Sequence, residues 1–145
     1  MPNFSPLKTI FYSIEKTIKE YRKYAQVNIS KHVKDITLDQ TLVLMIIHET
    51  PEITQKDIAH LLYKDYASLT RMIELMVKKE YLTRGKNVID GRRSLLEITE
   101  KGKTTIKKLS TVIEKNRSNA LKGLTEDEIS QLHSLLSKIT NNCVK

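Results

Sequence analysis

The 145-residue sequence has a single cysteine, no tryptophan, three prolines and four glycines. One cysteine excludes an intramolecular disulfide framework and a cysteine-based structural zinc site. The sequence has no apolar run of membrane-spanning length, and residues 1–30 carry charges throughout without an apolar h-region. We therefore predict no transmembrane helix and no signal peptide, and we expect a cytoplasmic protein of one domain.

The charge balance is positive without being extreme. Lys and Arg number 25 against 17 Asp and Glu, which gives a formal net charge of +8. Between residues 56 and 93 there are nine basic and five acidic residues, so part of the excess is local. A positive balance favours a polyanionic partner, although a solvated charged face would produce the same pattern.

Capping residues and helical periodicity predict six helices. The first begins with Ser5 as N-cap and Pro6 at the first helical position, and it continues to about residue 30. The second, at 38–49, is apolar nearly all round and should be buried. The other helices are predicted behind the N-cap residues Thr54, Asp65, Thr99 and Thr125.

Two short strands interrupt the helical pattern, at residues 81–84 and 94–98, with a polar loop containing two glycines between them. Three short helices followed by a hairpin, within residues 38–98, form the layout of a winged helix-turn-helix. The predicted fold class is therefore mainly α, with about six helices and a two-stranded β-hairpin wing.

The third of these short helices, about 66–79, is the candidate reader of a duplex. Its apolar residues share one face, and small residues near its N-terminus, Ala67 and Ser68, would let the backbone approach DNA closely. Arg71 can contact a guanine edge with two hydrogen bonds, and Thr70 can contact a base or a phosphate. Asp65 is assigned a capping role only.

The sequence resembles the MarR family of multiple-antibiotic-resistance regulators. The resemblance covers nearly the whole chain and is carried by three segments in order: DYASLTRMI at 65–73, DGRRS at 90–94 and ITEKG at 98–102. It implies a homodimer with interlocked terminal helices and two winged heads on a pseudo-palindromic operator. It also implies repression as the usual mode of regulation, and often a small effector between head and dimer regions, whose identity the sequence leaves open.

The resemblance also suggests how the wing works. One of Arg92 and Arg93 would reach the minor groove or the flanking phosphates, while Asp90 holds an arginine by a salt bridge. The whole set of candidate DNA-binding residues is Tyr66, Ala67, Ser68, Thr70, Arg71, Lys78, Arg84, Asp90, Gly91, Arg92 and Arg93.

The chain reads as one MarR-type domain over residues 1–145. Residues 36–99 form the winged helix-turn-helix core, and residues 5–34 and 100–141 form the dimerisation helices. Two positions depart from the family pattern: Tyr63-Lys64 replaces a Gly followed by an apolar residue in the turn, and Glu80 replaces a frequent helix-ending Gly. Non-glycine residues disfavour positive φ, so these positions test the fine geometry of the motif.

Other functions find less support. The sequence has no Gly-rich phosphate loop, no GxSxG motif and no apolar-flanked carboxylate pair, so we predict that the protein is not an enzyme and needs no cofactor. His48-Glu49 could contribute to a metal site, but a simple hydrogen-bonded histidine is favoured, and Cys143 near the C-terminus is expected to be inert.

Two alternatives stay open. A winged-helix module could instead dock an acidic protein partner through its basic face. A basic amphipathic membrane helix at residues 7–25 is less favoured, because Glu15 and Glu20 lie among its lysines.

Overall fold

The structure is a computed structural model that describes residues 4–86 and 94–144. Its described part forms six α-helices and one antiparallel hairpin, as predicted. In chain order the elements are a 3₁₀ turn Pro6–Lys8, α1 Ile10–His32, α2 Leu38–Glu49, α3 Gln55–Leu61, α4 Tyr66–Lys78, β1 Leu82–Lys86, β2 Ser94–Ile98, α5 Glu100–Ala120 and α6 Glu126–Cys143.

Side-chain caps begin the helices where the sequence predicted them, with one exception. Thr37 and Thr125 form complete capping boxes with Gln40 and Glu128. The first helix does not begin at Pro6. The Thr9 backbone is extended and its hydroxyl accepts from the Tyr12 N–H, so α1 begins at residue 10 and the preceding Ser5-Pro6 segment forms the separate 3₁₀ turn.

The core lies beneath α2, α3, α4 and the hairpin, with α5 closing it from one side. α1 contributes only two buried residues, and none of the described side chains of α6 is buried. The fully buried side chains of this core include Val43, Leu44, Ile58, Leu69, Ile73, Met76, Tyr81, Leu82 and Leu109. The α3–α4 pair and the hairpin are therefore held on one apolar centre, while the terminal helices extend beyond it.

Two helices end in the left-handed conformation without glycine. Tyr63 has φ 53° after α3, and Glu80 has φ 67° after α4. In both cases the next N–H bonds five residues back, from Lys64 to the Ala59 carbonyl and from Tyr81 to the Met76 carbonyl, each at 2.9 Å. These are Schellman endings, so the turn keeps the motif's geometry although its glycines are replaced.

Position 102, in the first turn of α5, has no room for a side chain. A Cβ added there would lie 2.5 Å from the Tyr81 carbonyl oxygen and 2.6 Å from Ile98 Cγ2. No side chain fits at that distance, so the start of α5 can pack directly against the base of the hairpin. The segment ITEKG at 98–102 thus has a steric basis.

Candidate nucleic-acid interface

Helix α4 packs an apolar face against the core and exposes its other side to solvent. Leu69, Ile73 and Met76 are fully buried, which fixes how the helix is rotated about its axis. On its outer side and at its N-terminus, Tyr66, Ala67, Arg71 and Lys78 are exposed, and Ser68 and Thr70 are half-buried. All the candidate residues predicted on this helix are therefore at least partly exposed, with Lys78 at the opposite end from Tyr66 and Ala67.

A chain of hydrogen bonds orders the first turn of α4. Asp65 accepts from the Ser68 N–H at 2.8 Å and from the Ser68 hydroxyl at 2.7 Å. Arg71 Nη2 then donates to Ser68 Oγ at 3.2 Å. The backbone and hydroxyl bonds from Ser68, with the nearby positive charge of Arg71, lower the pKa of Asp65. Asp65 is thus more than a cap, because through Ser68 it orients the guanidinium predicted to read a base.

The Thr70 hydroxyl is engaged within the protein. It donates to the Tyr66 carbonyl at 2.9 Å and accepts from Gln55 Nε2 at 2.7 Å. A hydroxyl has one hydrogen and two lone pairs, so in this arrangement Thr70 can accept a further bond but cannot donate one to a phosphate. Thr70 therefore remains a predicted DNA contact only as an acceptor of a hydrogen bond from a base amino group.

Gln55, the first residue of α3, was missed by the sequence reasoning. Its amide nitrogen donates to Thr70, and its amide oxygen accepts from Arg84 Nη1 at 3.4 Å. It therefore links α4 to strand β1, and its second amide hydrogen is free to donate to a further acceptor. The only sequence signal was its position just after the Thr54 cap, at a helix start that faces the neighbouring helix in this motif.

The base of the wing is an antiparallel ladder in which Leu82 pairs with Ile98 and Arg84 with Leu96. Arg84 is exposed on β1, next to Gln55. The predicted wing-tip residues Asp90, Gly91, Arg92 and Arg93 lie outside the described residues.

The far end of α4 is fixed by a cluster around Asp35, in the loop between α1 and α2. The Tyr81 hydroxyl donates to Asp35 Oδ1 at 2.5 Å, and Lys79 Nζ donates to the Asp35 carbonyl at 2.6 Å. Lys101 Nζ lies 4.4 Å from the Tyr81 ring centre. The tyrosine hydrogen bond lowers the pKa of Asp35, whereas burial and the same carboxylate raise the pKa of Tyr81.

A cavity of about 160 Å³ lies between α1, α2 and α5. Its lining includes the polar side chains of Arg22, Asn116 and Arg117. Asn116 is buried; its oxygen accepts from Asn28 at 2.8 Å, while its Nδ2 has no hydrogen-bond partner among the described residues. The remaining lining residues are Ile18, Tyr21, Ala25, Ile29, Leu38, Leu42 and Ile113.

The other candidate features stay isolated. Cys143 is exposed, and His48 is exposed near the end of α2. Across residues 4–86 and 94–144, no group of three or more metal-ligating side chains converges. Within the same ranges, none of the helices combines the length and apolarity needed to cross a membrane.

Comparison with known proteins identifies a matching family model and similar solved structures. The MarR family model matches residues 36–94. A mutant MarR from E. coli complexed with operator DNA is 26% identical, with a TM-score of 0.75 over 93% of this chain and 99% of that chain. A chain from Listeria monocytogenes complexed with a 26mer DNA is 25% identical, with a TM-score of 0.81 over 93% and 89%.

The S. aureus MepR–DNA complex shares the fold at 20% identity, with a TM-score of 0.84 over 97% of this chain and 100% of that chain. The match to the family model lies on the helix-turn-helix and the start of its hairpin, and the structural matches extend over the flanking helices as well. Residues 36–94 thus match the MarR family model in sequence, and the described chain shares the fold of the MarR-family structures to which it is similar.

Proposed function

We propose that the protein is a sequence-specific, double-stranded DNA-binding transcriptional regulator. The observation that carries the proposal is α4: a helix locked in rotation by three buried residues, with Arg71 ordered on its exposed side by Ser68 and Asp65. A helix presented in this way fits the major groove. The two relatives at 25–26% identity were both solved with DNA, which supports the same partner here.

The proposed division of labour assigns residues 36–99 to DNA binding and residues 5–34 and 100–141 to dimerisation. The terminal segments carry large apolar side chains with nothing over them in one chain: Phe4 is 87% exposed, Leu7 65% and Leu135 56%. Burying each such side chain is worth roughly 1.5–3 kcal/mol, so a two-fold interface would cover them favourably. Light scattering should give twice the 16.8 kDa chain mass at micromolar concentration; a folded monomer would contradict this.

The cavity between α1, α2 and α5 is the place where a small effector would bind. Its volume is close to the roughly 150 Å³ of an apolar cavity that holds benzene. The unpaired Asn116 amide would favour a ligand that carries a hydrogen-bond acceptor. A ligand bound there would contact both the dimerisation helices and the DNA-binding core. We propose that the protein regulates transcription by repression.

The proposal is tested on the DNA immediately upstream of the protein's own gene. We expect an inverted repeat there that the purified protein protects from nuclease digestion. As a regulator of chromosomal DNA, the protein would act in the cytoplasm. The alternative, a winged-helix module that docks an acidic protein, predicts weak binding that is indifferent to sequence and therefore no discrete footprint.

A further inference from the structure

Asp39, in the first turn of α2, contacts two cations from different parts of the fold. Arg22 of α1 donates from Nη2 to one carboxylate oxygen, and Lys64 Nζ lies 3.0 Å from the other. The three side chains are partly buried, with 41% of Arg22, 27% of Lys64 and 22% of Asp39 exposed. One carboxylate thus joins the dimerisation helix to the turn between α3 and α4.

Lys64 occupies a rigid point of that turn. Its N–H closes the Schellman ending of α3 at 2.9 Å from the Ala59 carbonyl, and the next residue, Asp65, is the N-cap of α4. The backbone on both sides of Lys64 is therefore hydrogen-bonded. An ion pair to its side chain holds the N-terminal end of the recognition helix.

The opposite end of α4 is attached to the same corner of the fold. Asp35, four residues before Asp39, receives hydrogen bonds from Lys79 and Tyr81, which directly follow α4. The corner between α1 and α2 therefore holds α4 at both ends. Two attachments, one at each end, fix the direction of a helix as well as its position.

We propose that Asp39 is a positioning residue for operator recognition. By pairing with Arg22 and Lys64 it sets the angle between α4 and α1. It thereby sets the separation of the two recognition helices in the dimer, and so the half-site spacing that the protein accepts. This inference rests on the proposed function, because it needs a dimer that binds a two-part operator.

The test compares Asp39→Asn with the wild type on three kinds of duplex: the operator, operators with one base pair inserted or removed between the half-sites, and a single half-site. Because Asp39→Asn does not change the exposed side of α4, the affinity for a single half-site should stay within about twofold. Affinity for the natural operator should fall about tenfold, and preference over the altered spacings should largely disappear, because the two heads no longer bind as one preorganised unit.

Glu20→Gln is the matched control. It removes the same charge from an exposed pair with Lys23 on α1, in which the two side chains are 64% and 76% exposed. Loss of a negative charge should by itself strengthen attraction to phosphates, so a loss of spacing preference in Asp39→Asn alone cannot come from net charge. Lys64→Gln should reproduce the Asp39→Asn result, and the double variant should be no worse than either single one.

The outcomes separate the two proposals. If the wild type shows no preference for any sequence, the proposed function fails and this inference with it. If the wild type is specific but Asp39→Asn keeps its spacing preference, only the inference is overturned. An equal loss of affinity on all three duplexes would show a merely structural role and would also overturn it. Should Asp39→Asn fail to fold, Lys64→Gln is used instead: it should lose the spacing preference, and a retained preference would overturn the inference.

Discussion

Individual side chains in this protein are ordered before any DNA is bound. The Arg71 guanidinium is hydrogen-bonded to Ser68, which is in turn hydrogen-bonded to Asp65. The Thr70 hydroxyl is hydrogen-bonded to Tyr66 and Gln55. A side chain that is already positioned loses less conformational entropy on binding. The exposed side of α4 that is proposed to contact DNA is therefore largely ordered in the unbound protein.

Arg71→Ala should weaken operator binding by about 1–3 kcal/mol and relax the preference at one operator position, since a bidentate guanine contact is lost. Titrations against the operator and its single-base variants would measure both effects. Lys108→Ala, which removes an exposed charge from α5, is the control and should change neither. Unchanged affinity and preference in Arg71→Ala would mean that α4 is not the reader.

Asp39→Asn should lower the free energy of unfolding at pH 7 by about 1–3 kcal/mol, the range of hydrogen bonds to charged groups. Partial burial raises the pKa of Asp39, but the bonds from Arg22 and Lys64 outweigh it and leave the pKa below its ordinary value. The stabilisation is thus fully present above the unfolded pKa of about 3.9 and is lost as the pH falls from there through the lower pKa of the folded state. Urea unfolding at pH 7 and pH 3 should show the difference from wild type shrinking; a constant difference would contradict this.

At the scale of elements, the sequence predicted the helices and strands well because their signals are local. Caps at Thr37, Thr54, Asp65, Thr99 and Thr125 lie where they were placed. The predicted start of α1 was wrong. Ser5-Pro6 and Thr9 are both good helix starts, and only the extended backbone at Thr9 in the folded chain decides between them.

The links between elements could not be predicted in the same way. These links are contacts between residues that are 15 or more positions apart, such as Gln55 with Arg84, or Asp39 with Arg22 and Lys64. Such contacts depend on how helices pack, and no short sequence pattern encodes them. The candidate residues on the exposed side of α4 could therefore be named from the sequence, but the hydrogen-bond network that orients them could not.

Glu80→Gly should stabilise the fold by about 0.5–1 kcal/mol, because a non-glycine residue in the left-handed region costs about 1–2 kcal/mol and the entropy of glycine offsets part of that gain. Glu80 has φ 67° at the end of α4. Thermal unfolding should show a higher Tm, whereas Glu80→Ala, which keeps the Cβ, should show little gain. Equal effects of the two changes would mean that the backbone conformation is not strained.

The wing arginines are a prediction that rests on the sequence. The Arg92→Ala/Arg93→Ala double variant should keep its dimer and fold but lose about tenfold or more in operator affinity. Its log–log salt slope should be shallower by roughly two to four units, because each phosphate contact contributes about 0.9 and each subunit loses one or two. Titrations at several salt concentrations measure this, and an unchanged slope would show that the wing does not touch DNA.

At the scale of the whole molecule, the core and the terminal helices differ in how much of their apolar surface is buried. The described residues between 36 and 94, the range that matches the MarR family model, contribute most of one apolar core. By contrast, α6 buries none of its described side chains, and the N-terminal segment leaves Phe4, Leu7 and Ile10 more than half exposed. An amphipathic helix without a partner in its own chain favours assembly with a second copy, which also supplies the second reading head.

The most direct test of the account is selection of bound sequences from a random duplex library by the purified wild-type protein. Two α4 helices related by a two-fold axis should enrich an inverted repeat whose half-site centres lie about 10 base pairs, or a multiple of that, apart. The Arg71→Ala variant should lose the enrichment at one base pair of each half-site. Enrichment of no sequence, or of a single asymmetric site that Arg71→Ala recovers equally well, would contradict the account.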